Sequence, residues 1–337
     1  MSSWLGAYMT SFISLNAIIS TVMKNVIDFL MSHFFKTEAV ETIALFDDGD
    51  ILDLVTMPRG CDRFLNYYDT AELEEHVLNY VVKRGPNSGS TIKEVFIRKN
   101  LNDLIFDFDL SDYFVHKVQL YDKIKDPHHL IGQLFLRVNS HFNPLCSKKV
   151  VVPQFFTSEF ENGYTFVSKH LKEELDMTII EWLRLQDYRL PPSTDKLLPG
   201  QIHPGLGVGH EVEEMIMSFV VAKNRDGMLN TPEHWYNAYL YYTSSHFHFL
   251  NPAFEGFFRS INESVRKDIE KRRLCNVAWA IAQGKLMHRP TNTIVKWVSL
   301  EQVFPISKKL RAYFNAEYTN LVMKNYHPKD FYIEWGE

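Results

Sequence analysis

One stretch decides how this chain is read: Pro199-Gly200-Gln201-Ile202-His203-Pro204-Gly205-Leu206-Gly207-Val208-Gly209-His210, running directly into EVEEMIMSFVVAK at 211–223. The whole chain of 337 residues holds only 15 glycines, yet four of them, Gly200, Gly205, Gly207 and Gly209, fall within ten positions. In the piece that follows, Val212, Met215, Ile216, Phe219 and Val220 share one helical face, so a helix is predicted to start just after the glycines. Upstream, MTIIEWLRLQDY at 177–188 reads as a strand. A glycine-rich turn between strand and helix converges backbone N–H groups on an anion, helped by the positive end of the helix dipole. A phosphate-bearing cofactor is therefore expected here. Two familiar phosphate loops are excluded: no Gly-Lys-Ser/Thr completes a Walker A motif, and Gly205, Gly207 and Gly209 give GxGxG where a dinucleotide fold needs GxGxxG.

Working outward toward the N-terminus, 163–175 is predicted as a helix, and 92–97, 104–110, 114–120 and 130–138 as neighbouring strands. The polar stretch KRGPNSGS at 83–90 is a loop, and AELEEHVLNYV at 71–81 has helical spacing. At the start of the chain, Leu5, Met9, Phe12, Leu15, Ile19, Val22, Val26 and Leu30 form a stripe with steps of three and four, so 4–35 reads as an amphipathic helix within an N-terminal segment 1–40. Polar residues interrupt it too often for a transmembrane span, and no basic segment precedes it. The stripe is expected to dock on the protein's own core or on a second subunit.

Composition narrows the function classes. With 36 Lys+Arg against 41 Asp+Glu the net charge is −5, which lacks the basic footprint of a nucleic-acid binder. Hydrophobic residues at 45% and aromatics at 14% supply a large core. Cys61, Cys146 and Cys275 are far apart with no CxxC pair, so neither a disulfide framework nor a thiolate zinc site is expected, and a reducing, cytoplasmic setting is the simplest reading.

Downstream of the glycines come a short apolar piece at 227–229, a second helix in NTPEHWYNAYLYY at 230–242, and a half-buried strand at 246–250. With this order the chain resembles the GNAT acyltransferase superfamily, in which a strand leads into an R/Q-x-x-G-x-G/A turn, a helix and a strand follow, and a helix of N-x-x-A-x-x-L-Y type ends near a Gly-Phe. Gln201, Gly205 and Gly207 stand in the turn; Asn237, Ala238, Leu240 and Tyr241 or Tyr242 in the later helix; His246-Phe247 in the place of Gly-Phe. The resemblance implies an α/β (α+β) fold with a mixed, largely antiparallel sheet and flanking helices. It also implies acetyl-CoA or another acyl-CoA held by Gln201, Gly205, Leu206, Gly207, Val208, Gly209 and Asn237, and acyl transfer to a small-molecule or peptide amine. Glu233 or His234 would accept a proton, and Tyr242 would protonate the departing thiolate. Glu211, Glu213 and Glu214, in or beside the first helical turn, are expected to oppose the incoming pyrophosphate.

Two other readings share these residues: a non-catalytic binding or assembly protein on the same scaffold, and a metal-dependent enzyme using His203, His210 and Glu213 or Glu214 with Glu233-His234 nearby. The α/β domain is expected over 41–253, and 254–337 as a mostly helical extension that closes a substrate cleft or forms a homodimer surface. Within it the sequence predicts a helix over 254–284, a strand over 293–304 and a helix over 307–326. The charge run from Arg266 to Arg273 is expected to be a solvated helix face, because no aromatic platform is interleaved with it.

Overall fold

The computed structural model describes residues 70–112, 115–142, 150–192, 197–222 and 225–336; the N-terminal stripe at 4–35, Cys61 and Cys146 lie outside them. Helix α1 (Thr70–Asn79) buries Leu73 and Val77, one turn apart. The stretch 92–97, predicted as a strand, is instead helix α2 (Ile92–Arg98). The reason is a capping box: the Thr91 side chain accepts from Glu94 N at 3.2 Å, while the Glu94 carboxylate accepts from Thr91 N at 2.8 Å. Ile92, Val95 and Phe96 then fall on one face and are buried together.

Strands β1 (Leu104–Asp109), β2 (Val115–Asp122) and β3 (Leu130–Phe142) form an antiparallel meander, with Phe106 opposite Leu120 and Gln119 opposite Gln133. In β1 the alternation LIFDFD turns Leu104, Phe106 and Phe108 to the core. Helix α3 (Thr157–His170) begins and ends earlier than 163–175, because the chain becomes strand β4 (Leu175–Leu185) by Leu175. The remaining helices are α4 (Gly209–Ala222), α5 (Trp235–Ser245), α6 (Pro252–Arg272), α7 (Leu274–Ala282), α8 (Lys308–Tyr313) and α9 (Ala316–Lys324). The remaining strands are β5 (Gly227–Asn230), β6 (His248–Phe249), β7 (Leu286–His288), β8 (Thr293–Ile294), β9 (Gln302–Pro305) and β10 (Phe331–Ile333).

Seven strands form one mixed sheet in the order β1-β2-β3-β4-β5-β9-β6, and β10-β7-β8 form a small antiparallel sheet. The segment beyond 253 thus supplies β9, which lies between β5 and β6. Among the described strands, only β4 and β5 run parallel. Their contact is short: β5 pairs with Met177–Ile180, whereas β4 continues beside β3 to Leu185. Where β5 stops, β4 carries a bulge, since Ile180 faces Leu136 but the next paired residue, Trp182, faces Phe135. A bulge bends its strand, and past Ile180 the edge of β4 away from β3 stays open until the glycine loop reaches it.

Neighbouring residues of the fully buried β5 point to opposite faces. Met228 joins the core under α1, α2 and α4, with Leu73, Phe96, Ile216, Phe219 and Val220. The other face is aromatic: Phe249 stands edge-on to Phe254 and Phe258 of α6, and Trp297 packs on all three. Helix α3 crosses α6 at Gly163, where a Cβ would stand 1.9 Å from the Asn251 side-chain oxygen that caps α6, so glycine is required by the close approach.

Three long elements expected near the C-terminus are each divided. The helix over 254–284 breaks at Arg273, whose φ of 72° and ψ of 155° belong to a region open essentially only to glycine. The strand over 293–304 becomes β8 and β9 in separate sheets. The helix over 307–326 restarts at Asn315, whose side chain accepts from Tyr318 N at 3.0 Å and caps α9. Among the described residues, no helix is long and apolar enough to cross a membrane.

Candidate functional site

The glycine loop lies between the end of β4 and the start of α4 and is held to the end of β4. Asp187 N donates to Pro204 O at 2.8 Å, Leu206 N to Leu185 O at 3.3 Å, and Gly205 bridges to Gln186. Leu206 and Val208 are buried, while Gly205, Gly207 and Gly209 between and beside them are exposed. The alternation anchors the loop by its two side chains and leaves bare backbone on the outside. Gly207 has a φ of +70°, where any other residue is strained. The first-turn N–H groups of α4, at Gly209, His210 and Glu211, have no intrahelical acceptor, because the helical bonds begin with Val212 N donating to Val208 O. Such a turn favours an anion.

A cation stands over it. A Cβ on Gly207 would be 3.0 Å from Lys99 Nζ, so the ammonium lies against the loop's bare backbone. Lys99 closes α2, and the end of that helix is tied to the loop by Arg189, whose guanidinium donates to Lys99 O at 3.0 Å and Asn100 O at 2.9 Å. Asp187 grips the same guanidinium with both oxygens at 2.8 Å. This contact holds the Asp187 carboxyl below its usual range. The sequence reading missed Lys99 and Arg189; the capping box that makes 92–98 a helix was the available signal.

The expected opposition from three carboxylates is largely removed by where they point. Glu214 accepts from Tyr80 Oη at 3.0 Å, Lys83 N at 2.7 Å and Arg84 N at 3.0 Å. Glu211 accepts from Asn87 Nδ2 at 2.6 Å. Both therefore pin the loop 83–90 across the start of α4. Burial pushes the Glu213 carboxyl up to about 8, and its Oε2 accepts from Ser244 Oγ at 3.3 Å, so the site favours its neutral form.

The residues expected to act on substrate divide between the two sides of α5. His234 precedes the helix; its ring stacks on Tyr236 at 5.6 Å, and its Nε2 lies 3.0 Å from where a Gly200 Cβ would be. Tyr236 Oη donates to Pro199 O at 3.0 Å. Glu233 is exposed beside His234, so Glu233 and His234 border the first glycine. Asn237 follows on the same helix with a buried Oδ1 that has no hydrogen-bond partner among the described residues. Gln201 does not face an anion, since its Oε1 accepts from Leu198 N at 3.1 Å within the loop. Tyr242, expected as the proton donor, lies on the other side of the helix. It lies seven residues after Trp235, two helical turns, and shares a face with it. Trp235 Nε1 donates to Asn262 Oδ1 of α6 at 3.0 Å, and Tyr242 packs edge-on to Phe258 at 5.5 Å with Arg259 over its ring at 5.4 Å. The face toward α4 carries Tyr241 instead: burial, then Glu213, push its hydroxyl far above the usual range.

His246 is the other informative position. It ends α5 in the left-handed conformation, φ 54° and ψ 37°, the backbone state a glycine adopts most readily.

The proposed metal ligands do not converge. Glu214 holds the loop 83–90, His210 sits beside Gly85, and His203 lies near Asp187. Among the described residues, no group of three His, Cys, Asp or Glu side chains is placed to hold a metal ion. Comparison with known proteins gives no relative for this arrangement: no family model matches the chain, and neither a curated protein nor a solved structure is significantly similar to it.

Proposed function

We propose that the protein is an acyl-CoA-dependent N-acyltransferase of GNAT type acting on a small-molecule or peptide amine. The observation that carries this reading is the coincidence of two features at one end of β4. The strand outruns its parallel neighbour β5 by residues 181–185, and at that same end the glycine loop and Lys99 offer an anion site. A diphosphate on the loop would be held by backbone N–H groups and the Lys99 ammonium, and the pantetheine arm would run along the open edge of β4. The amine would approach from the side of His234 and Glu233, which would accept its proton. Tyr242 is turned to α6, and this observation favours a second reading, a GNAT-like protein that binds the cofactor without turnover.

The test is acetyl-CoA binding followed by thiol release with a panel of amines. Saturable stabilisation by acetyl-CoA that disappears in Gly207→Glu supports the cofactor assignment; no response at millimolar cofactor contradicts it. Binding without thiol release for any amine selects the second reading.

A further inference from the structure

A cleft of about 540 Å³ opens where α6 ends and α7 begins, and it is lined by four cations and two indoles: Lys271, Arg272, Arg273, Lys285, Trp279 and Trp335. The volume suits a small ligand. Among the described residues, no carboxylate lines the cleft and none of the four cations forms an ion pair. The charge run on α6 was expected to be a solvated face for want of aromatic rings. The fold brings the rings from elsewhere, one from α7 and one from beyond β10.

Both indoles are fixed in place. Trp279 Nε1 donates to Leu197 O at 2.8 Å, and the ring stays 37% exposed. Trp335 Nε1 donates to Asp268 Oδ1 at 2.9 Å, and Arg272 covers that ring at 4.3 Å. Trp279 is therefore the ring available for stacking. Arg273, with its glycine-only backbone, lines the cleft, and α7 starts there, adding the positive end of its dipole. One turn beyond Trp279, Gln283 also lines the cleft.

Clustered cations next to a flat, partly exposed ring match a ligand with phosphates at one end and a planar heterocycle at the other. We propose that this cleft binds a nucleoside phosphate, its base stacked on Trp279 and its phosphates held by Lys271, Arg272, Arg273 and Lys285. The compact cleft and the chain's net charge of −5 favour a mononucleotide over a nucleic-acid strand. The site is separate from the glycine loop, since none of the loop's glycines lines it.

The experiment is calorimetric titration of the full chain with ATP, adenosine and sodium tripolyphosphate. ATP is expected to bind more tightly than either fragment. Trp279→Leu should weaken ATP by about tenfold or more, as loss of a stacked base does, with little effect on tripolyphosphate. Arg273→Gly should raise Tm by relieving the backbone and still weaken ATP, an outcome that a purely structural arginine would not give. Gly207→Glu should leave ATP binding unchanged. The proposal is overturned if tripolyphosphate binds as tightly as ATP, if Trp279→Leu leaves ATP affinity intact, or if Gly207→Glu abolishes it. It is equally overturned if only oligonucleotides bind and ATP does not at about 1 mM, an affinity worth about 4 kcal/mol.

Discussion

Glu213 shows how a single side chain changes the electrostatics of the candidate site. Its carboxyl, ordinarily near 4.5, is pushed to about 8 by burial between α4 and α5. Between those two values the folded protein keeps a proton that the unfolded chain releases, so stability falls as pH rises, by about 1.4 kcal/mol per pH unit crossed. Glu213→Gln should match the parent near pH 5 and be clearly more stable at pH 8, as read from urea midpoints at the two pH values. Glu255 is the opposite case. It is fully buried, and although burial acts to raise its carboxyl, Arg259 and then His248 hold it below the usual range. It accepts from Arg259 Nε at 2.8 Å, Phe249 N at 2.9 Å and His248 Nδ1 at 3.2 Å. Removing one partner of a buried ion pair costs about 3–5 kcal/mol, so Glu255→Ala should lower the free energy of unfolding by that amount, as read from urea denaturation. Neither environment is visible in EVEEMI or NPAFEG, because what decides them is packing: α5 against Glu213, and β6 with Arg259 one turn along the same helix against Glu255.

At the scale of elements, α2 links local sequence to the candidate site. Its capping box fixes the helix, the helix ends at Lys99, and Lys99 covers Gly207. Thr91→Ala should cost about 1 kcal/mol of stability and also weaken anion binding at the loop, which parallel thermal and titration measurements would separate. The T-x-x-E signal was present in the sequence, but the β-branched and aromatic run at 92–97 outweighed it. The strand-turn-helix at 177–223 was legible because periodicity and glycine placement agree there. The side of α5 that Tyr242 occupies was not legible, since three tyrosines in a row of four give no preferred face until α4 and α6 pack against them. The breaks at Arg273 and Asn315 escaped for other reasons: one is a strained residue with no glycine to mark it, the other a cap inside a periodic run.

At the scale of the molecule, one parallel contact in an otherwise antiparallel sheet organises everything near the glycine loop. Because β5 is short and β4 long, the sheet is open on one edge just where the loop, α2 and the start of α5 meet. Mixed topology and flanking helices followed from the sequence; the insertion of β9 between β5 and β6 did not, since two-residue and four-residue strands carry no periodicity of their own. The central claim is that this open edge and its loop receive an acyl-CoA. Calorimetric titration with acetyl-CoA tests it most directly: one saturable site per chain is predicted, lost in Gly207→Glu and weakened in Lys99→Glu. Absence of binding to the parent protein, or equal binding by all three proteins, would contradict it.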